Sequence, residues 1–121
     1  MRRRSILFWA AAATLAGVVA GCAVAPSGGP GAGVAQARRL ESRGNYQKAG
    51  AAWLQLAKQA RGQARETARL NAATDYEKAG DLASAWEAVA PLDISALAPM
   101  HQFTGALTKA RLALATHRPQ P

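Results

Sequence analysis

Two short segments decide the fold: Gly44-Asn45-Tyr46-Gln47-Lys48-Ala49 and, 36 residues later, Gly80-Asp81-Leu82-Ala83-Ser84-Ala85. Each begins with a glycine, which tolerates the backbone at a helix end, and continues with a polar residue of the type that caps a following helix. The register extends beyond the turns, since Ala37 and Ala73 stand seven residues before the two glycines. The pattern predicts two similar helical hairpins.

Residues 34–116 are predicted to form an all-α domain, because apolar residues recur there with a helical period and no alternating β-type run of useful length occurs. Glycines, capping residues and prolines divide the region into five segments. With 121 residues in all, the chain holds one small domain, which excludes most multi-part enzymes. The predicted helices span residues 34–42, 46–60, 65–79, 82–90 and 99–116.

The spacing of the small residues resembles the tetratricopeptide repeat, whose period is about 34 residues. Small side chains let the two helices of a hairpin approach closely, while Trp53 and Tyr76 fill the space beside them. The sequence then contains about two and a half tetratricopeptide-like antiparallel hairpins. The alternative is an Ala-rich helical bundle in which the 36-residue spacing is coincidental.

Two predicted helices carry apolar stripes. The stripe of the last helix recurs at steps of three and four, like a coiled-coil seam. Because repeat arrays generally need about three units, we expect this stripe to be partly exposed unless it packs back, dimerises or meets a partner. The stripes are Tyr46, Ala49, Ala52, Trp53, Leu56, Ala57 and Ala60 in the second helix and Met100, Phe103, Leu107, Ala110 and Leu114 in the last.

The N-terminus has the anatomy of an export signal. Three arginines at positions 2–4 precede an uncharged run over residues 6–20, and no charged residue occurs between Arg4 and Arg38. A membrane-spanning helix needs about 20 predominantly apolar residues, which is more than this run supplies. Residues 1–21 are therefore predicted to be a cleaved signal peptide, with a transmembrane anchor as the alternative.

The run ends in Val19-Ala20-Gly21-Cys22, which resembles the lipobox of bacterial lipoproteins. In that motif small residues precede a cysteine that becomes lipidated, and Cys22 is the only cysteine of the chain. Two or three acyl chains would hold the protein firmly on a membrane. Ala23 stands where an aspartate would signal inner-membrane retention, which favours the periplasmic face of the outer membrane. The alternative is an ordinary buried thiol at Cys22.

Removal of the predicted signal peptide leaves a chain with flexible ends and a smaller net charge. Residues 22–33 are predicted to be the lipidated cysteine and a flexible Gly/Pro tether, and residues 117–121 a short tail. Removing residues 1–21 takes away three arginines and no acids, so the formal charge falls from +8 to +5. An exported protein rarely meets nucleic acid, so the basic residues predict either a solubilising surface or contact with anionic lipid, lipopolysaccharide or an acidic protein patch. They are Arg38, Arg39, Arg43, Lys48, Lys58, Arg61, Arg65 and Arg69.

No set of residues has the spacing of a catalytic or metal site. His101 and His117 stand 16 residues apart, and Asp93 is expected in a turn or cap. We therefore expect a protein that is not an enzyme and that needs no cofactor or metal. The alternative is a hydrolase or glycan-binding enzyme with a pocket that holds His101 and two carboxylates. The other six carboxylates lie near Lys or Arg, as on a solvated face: Glu41, Glu66, Asp75, Glu77, Asp81 and Glu87.

Several segments resemble the start of the LpoA/LppC-type penicillin-binding protein activators, which are outer-membrane lipoproteins with a tetratricopeptide-like N-terminal domain. The resemblance covers residues 46–115 and the lipoprotein leader. It implies a protein partner, a class A penicillin-binding protein, and a role in peptidoglycan synthesis and cell shape. The alternative is a generic tetratricopeptide-like outer-membrane scaffold unrelated to cell-wall synthesis. No partner-binding residue is predicted. The resemblance rests on Ala-Trp-Leu-Gln-Leu-Ala at 52–57, Leu-Asn-Ala-Ala at 70–73, residues 80–85 before Pro91-Leu92, Ala106-Leu107 and Ala-Arg-Leu-Ala-Leu-Ala at 110–115.

Overall fold

The computed structural model describes residues 30–117, which form five α-helices and one short 3-10 turn. Strands are absent from these residues, so the predicted all-α class is confirmed. The 3-10 turn, Ile94–Ala96, lies in the connection between the fourth and fifth helices. The helices are α1 (Pro30–Ser42), α2 (Tyr46–Gln59), α3 (Gly62–Lys78), α4 (Leu82–Val89) and α5 (Pro99–Thr116).

Two helices begin earlier than the sequence predicts. α1 begins at Pro30 and not at 34, so the last four residues of the predicted tether are helical. Proline suits the first turn of a helix. Gly33 then lies so close to α2 that a Cβ atom there would stand 2.5 Å from Leu56 Cδ2. α3 begins at Gly62 and not at 65, because the positive φ of 58° at Gly62 turns the chain directly into the helix.

Consecutive helices pack against each other, and α3 has the most neighbours, since it contacts α2, α4, the 3-10 turn and α5. Alanines at the predicted hairpin contacts are fully buried, which lets the helix backbones approach closely. The larger core side chains fill the space beside them. The core includes Ala37, Ala49, Trp53, Leu70, Ala73, Tyr76, Ala85, Val89, Leu92, Leu97 and Leu112.

The two hairpin turns repeat the same backbone hydrogen bonds 36 residues apart. The N–H groups of Gly44 and Asn45 donate to the carbonyls three and five residues earlier, and Gly80 and Asp81 do the same, all at 2.9 Å. Both glycines have positive φ, 75° and 82°. These paired bonds form the Schellman motif that ends a helix at a left-handed glycine. The two related segments of sequence therefore adopt one backbone geometry.

The residues after the two glycines differ in their capping. The Asp81 side chain accepts a hydrogen bond from Ser84 N–H at 3.0 Å, as predicted for a helix cap. Asn45, which the sequence also predicts to be a cap, makes no side-chain cap bond. Asp81 additionally accepts from Gln47 Nε2 at 2.9 Å. The carboxylate of the second turn is thereby linked to the first residues of α2.

Candidate functional site

A groove of about 830 Å³ lies between α1, α2 and α3. Val34, Leu56 and Ala68 give it apolar surface, and its charged residues are Arg38 and Arg61. Carboxylates are absent from the described residues that line it. Such a groove suits a ligand with both apolar and acidic groups. Its remaining polar lining comes from Gln59, Gln63, Thr67 and Asn71.

Arg38 is held in place at the groove by two contacts. Its Cζ lies 4.9 Å from the centre of the Trp53 ring, a cation–π contact. Arg38 Nη1 donates to Glu41 Oε1 at 2.9 Å, and Trp53 Nε1 donates to Glu41 Oε2 at 2.8 Å. Burial opposes the charge on Glu41, but hydrogen bonds from Asp75 and from these two groove residues hold its pKa below the ordinary value. Glu41 therefore orients both residues as a carboxylate.

Asp75 lies behind this arrangement and is only 2% exposed, so its predicted place on a solvated face is wrong. Burial, and then the hydrogen bond and charge of Glu41, raise the pKa of Asp75 to about 7. Its Oδ2 has no hydrogen-bond partner within the described chain. A proton shared by the two carboxyls relieves their repulsion. The sequence contained a signal, since Asp75 follows buried Ala68 and Ala72 by seven and three residues.

Glu66 also departs from the solvated face predicted for it, because it is fully buried in α3. It accepts hydrogen bonds from Asp93 N–H at 2.9 Å, from Arg65 Nε at 2.7 Å and from Arg69 Nη1 at 3.0 Å. Burial opposes its charge, but these bonds hold its pKa below the ordinary value. The hydrogen bond from Asp93 thus links Glu66 of α3 to the segment that follows α4. Asp93 accepts a bond from Ser95 N–H, as expected of a turn residue.

The eight basic residues from Arg38 to Arg69 divide into two groups. Arg38 pairs with Glu41, and both Arg65 and Arg69 pair with Glu66. The remaining five form no ion pair with any residue between 30 and 117 and lie on the surface, where they face solvent or an anionic partner. They are Arg39, Arg43, Lys48, Lys58 and Arg61.

The exposed face of α5 carries four of the six large hydrophobic side chains that are exposed within residues 30–117. As the sequence predicts, most of its stripe is open to solvent: Met100, Phe103, Leu107 and Leu114 are 78%, 76%, 50% and 71% exposed. The helix is buried instead through Gly105, Thr108 and Leu112. Neither glycine nor threonine counts as an apolar signal, so the sequence did not show which face would be buried.

The predicted lipidation residue Cys22 and its lipobox, Val19, Ala20 and Gly21, lie outside the described residues. Among residues 30–117, no cluster of three or more His, Cys, Asp or Glu side chains is placed to hold a metal ion. His101 is exposed and has no carboxylate in ion-pair contact within this range. His117 packs edge-on against Trp86, with ring centres 4.9 Å apart.

Within this same range, no helix combines the length and apolar character needed to span a membrane. Comparison of the chain with known protein families, curated proteins and solved structures gives no match.

Proposed function

We propose that this chain is a protein-interaction module of the bacterial envelope, anchored through a lipidated Cys22 at the periplasmic face of the outer membrane. The observation that carries the interaction role is the groove between α1, α2 and α3, with its apolar walls and its two arginines. A chain segment with an apolar side chain and a carboxylate matches this lining in both chemistry and charge.

The fixed position of Arg38 favours tight recognition. A guanidinium that is already stacked on Trp53 and bonded to Glu41 loses little side-chain freedom when a ligand binds. Arg61, in contrast, is exposed at the start of α3 and forms no ion pair with the described residues. The charge of Arg61 is therefore available to pair with a carboxylate of the partner.

The proposed partner is a class A penicillin-binding protein, and the proposed role is regulation of its peptidoglycan synthesis. The support is the resemblance of residues 46–115 and of the leader to the LpoA/LppC-type activators. A generic tetratricopeptide-like scaffold lipoprotein remains the alternative. It is favoured by the repeated turn geometry, which is common to helical repeats of many functions.

Capture experiments test both the partner and the groove. The lipidated chain in mild detergent should enrich a class A penicillin-binding protein over an unrelated lipoprotein. Arg61→Glu should weaken that capture at least tenfold, or about 1.4 kcal/mol, because it reverses the exposed charge of the groove. Lys58→Glu is the matched control, since it reverses a neighbouring exposed charge that does not line the groove.

Two results would count against these proposals. Equal enrichment by the unrelated lipoprotein removes the penicillin-binding protein as partner and leaves the scaffold alternative. Equal loss of capture in Arg61→Glu and Lys58→Glu shows attraction through overall charge and not through the groove.

Anchoring is tested separately by metabolic labelling with a tagged fatty acid. The wild-type chain should take up the label, and Cys22→Ser should not, because the thiol that accepts the lipid is gone. Ser27→Ala controls for substitution near the site. Label retained by Cys22→Ser would disprove the lipoprotein assignment.

A further inference from the structure

α5 has a buried contact face and, on the opposite side, an exposed apolar face. Gly105, Thr108 and Leu112 are buried, and a Cβ atom at Gly105 would stand 2.6 Å from Leu97 Cδ1, so this side packs closely on the rest of the protein. On a helix with 100° between residues, the exposed stripe is centred about 150° away. A helix in the middle of a helical layer is covered on both sides. α5 has a face suited to contact on each side, but only the side with Gly105 is covered.

The exposed stripe carries no charge of its own. The cations beside it are engaged elsewhere: Lys109 Nζ donates to the Leu92 carbonyl at 3.3 Å, and Arg111 pairs with Glu77 at 2.8 Å. The four large side chains expose on the order of 500 Å² of apolar surface, as much as a functional patch usually has. Neither charge repulsion nor a buried unpaired charge would oppose contact between two such faces.

We propose that this face binds the same face of a second copy of the chain, with the two α5 helices antiparallel across a two-fold axis. The two-fold axis passes beside Leu107, so that each Leu107 meets its counterpart. In the antiparallel arrangement Met100 lies opposite Leu114, and Phe103 lies against the exposed, small Ala110. Side chains of similar size meet at Leu107 and at Met100–Leu114, and the largest meets the smallest at Phe103–Ala110, so the surface is complementary to itself.

A parallel pair fits less well. It would place Phe103 against Phe103 and Ala110 against Ala110, which crowds one layer and leaves a gap in another. It would also align the two helix dipoles, whereas the antiparallel pair opposes them. The steps of three and four between stripe residues suit either direction, so side-chain size decides the orientation.

The interface area fits a reversible dimer. Two copies of the stripe together bury about 1,000 Å², which is near the lower limit for a specific interface. The groove is lined from α1, α2, α3 and the two residues between α2 and α3, Ala60 and Arg61, and not from α5. Dimerisation therefore does not depend on the proposed function and leaves the partner groove open.

Cysteine cross-linking in intact cells tests the pairing on the full chain. The background is Cys22→Ser, which makes each added cysteine the sole thiol. A short bis-maleimide should link Leu107→Cys into a dimer at least five times more than Ala51→Cys, an exposed position on α2. Cells producing both Met100→Cys and Leu114→Cys chains should yield a mixed dimer, whereas Met100→Cys alone should not.

Phe103→Glu provides the second variant. Because Phe103 is exposed, Phe103→Glu should leave the fold intact, and circular dichroism checks this. The variant should abolish the cross-link between Leu107→Cys chains. Linking no greater than at Ala51→Cys overturns the proposal, as does a Met100→Cys self-dimer. A third result also overturns the proposal: the thiol of Leu107→Cys is protected from a monofunctional maleimide, but no dimer forms. A lipid surface or a different protein then covers the face.

Discussion

At the scale of single residues, Glu41 connects the core to the groove. It accepts hydrogen bonds from Arg38 and Trp53 on one side and shares a hydrogen bond with Asp75 on the other. Two carboxyls so close together in a buried site cannot both be ionised without a large cost in free energy. Below a pH of about 7 the proton therefore resides on Asp75, and Glu41 keeps the charge that orients Arg38.

Replacing Asp75 with asparagine should remove this cost and flatten the pH dependence of stability. The folded-state pKa of about 7 exceeds the unfolded value, so the folded protein binds more protons between pH 4 and pH 7. Its stability therefore falls as the pH rises through that window. We expect the stability advantage of Asp75→Asn over wild type to grow by on the order of 2 kcal/mol between pH 5 and pH 8. Urea unfolding followed by circular dichroism at several pH values measures this difference.

Glu87→Gln is the control for this prediction, because it removes an exposed carboxyl from α4 and should leave the pH dependence of wild type unchanged. If Asp75→Asn were less stable than wild type at pH 8, the two carboxyls would be stabilised by interactions other than a shared proton.

At the scale of helices, the sequence predicts where each helix lies in the chain better than it predicts which residues of the helix are buried. Glycines and prolines mark where helices end, because their backbone constraints are local, and the five predicted helices are all present. The burial of α3 is harder to predict, since other elements contact it on several sides and its charged residues include both buried and exposed ones. For this reason the charge of Glu66 and Asp75 predicts a surface position for both, whereas the structure buries them.

The groove could not be predicted, because it depends on how three helices diverge. Arg38, Trp53 and Asn71 belong to three different helices and share no spacing in the sequence. Gly50 illustrates the same limit. It packs so closely on α3 that a Cβ atom there would stand 3.0 Å from the Tyr76 ring. A glycine within a helical stretch of sequence does not by itself predict such a contact between helices. Periodicity predicts the apolar stripe of α5, whereas its exposure is predicted only by the expectation that an array of about two and a half repeats leaves its last helix partly uncovered.

At the scale of the whole molecule, stability depends on one continuous core. The hydrophobic cluster includes buried residues from all five helices, and hydrogen bonds connect parts that are distant in sequence. Glu77 and Arg111 join α3 to α5, and Gln47 and Asp81 join the two turns. The alanine contacts of the two hairpins, Ala49 and Ala85, are fully buried at equivalent positions.

This core predicts that one buried charge in either hairpin unfolds the entire domain. Ala49→Glu and Ala85→Glu should each cost at least about 3 kcal/mol, because a carboxylate would enter a close contact without a partner. A domain of this size has only about 5–15 kcal/mol of stability, so this loss should lower its melting temperature by at least about 10 °C. Ala51→Glu and Ala83→Glu, which place the same charge on exposed positions of α2 and α4, should melt like wild type. Thermal melting by circular dichroism distinguishes the alternatives: loss of only half the helical signal would show that the hairpins fold independently, whereas a single transition at a lower temperature requires that the core couples them.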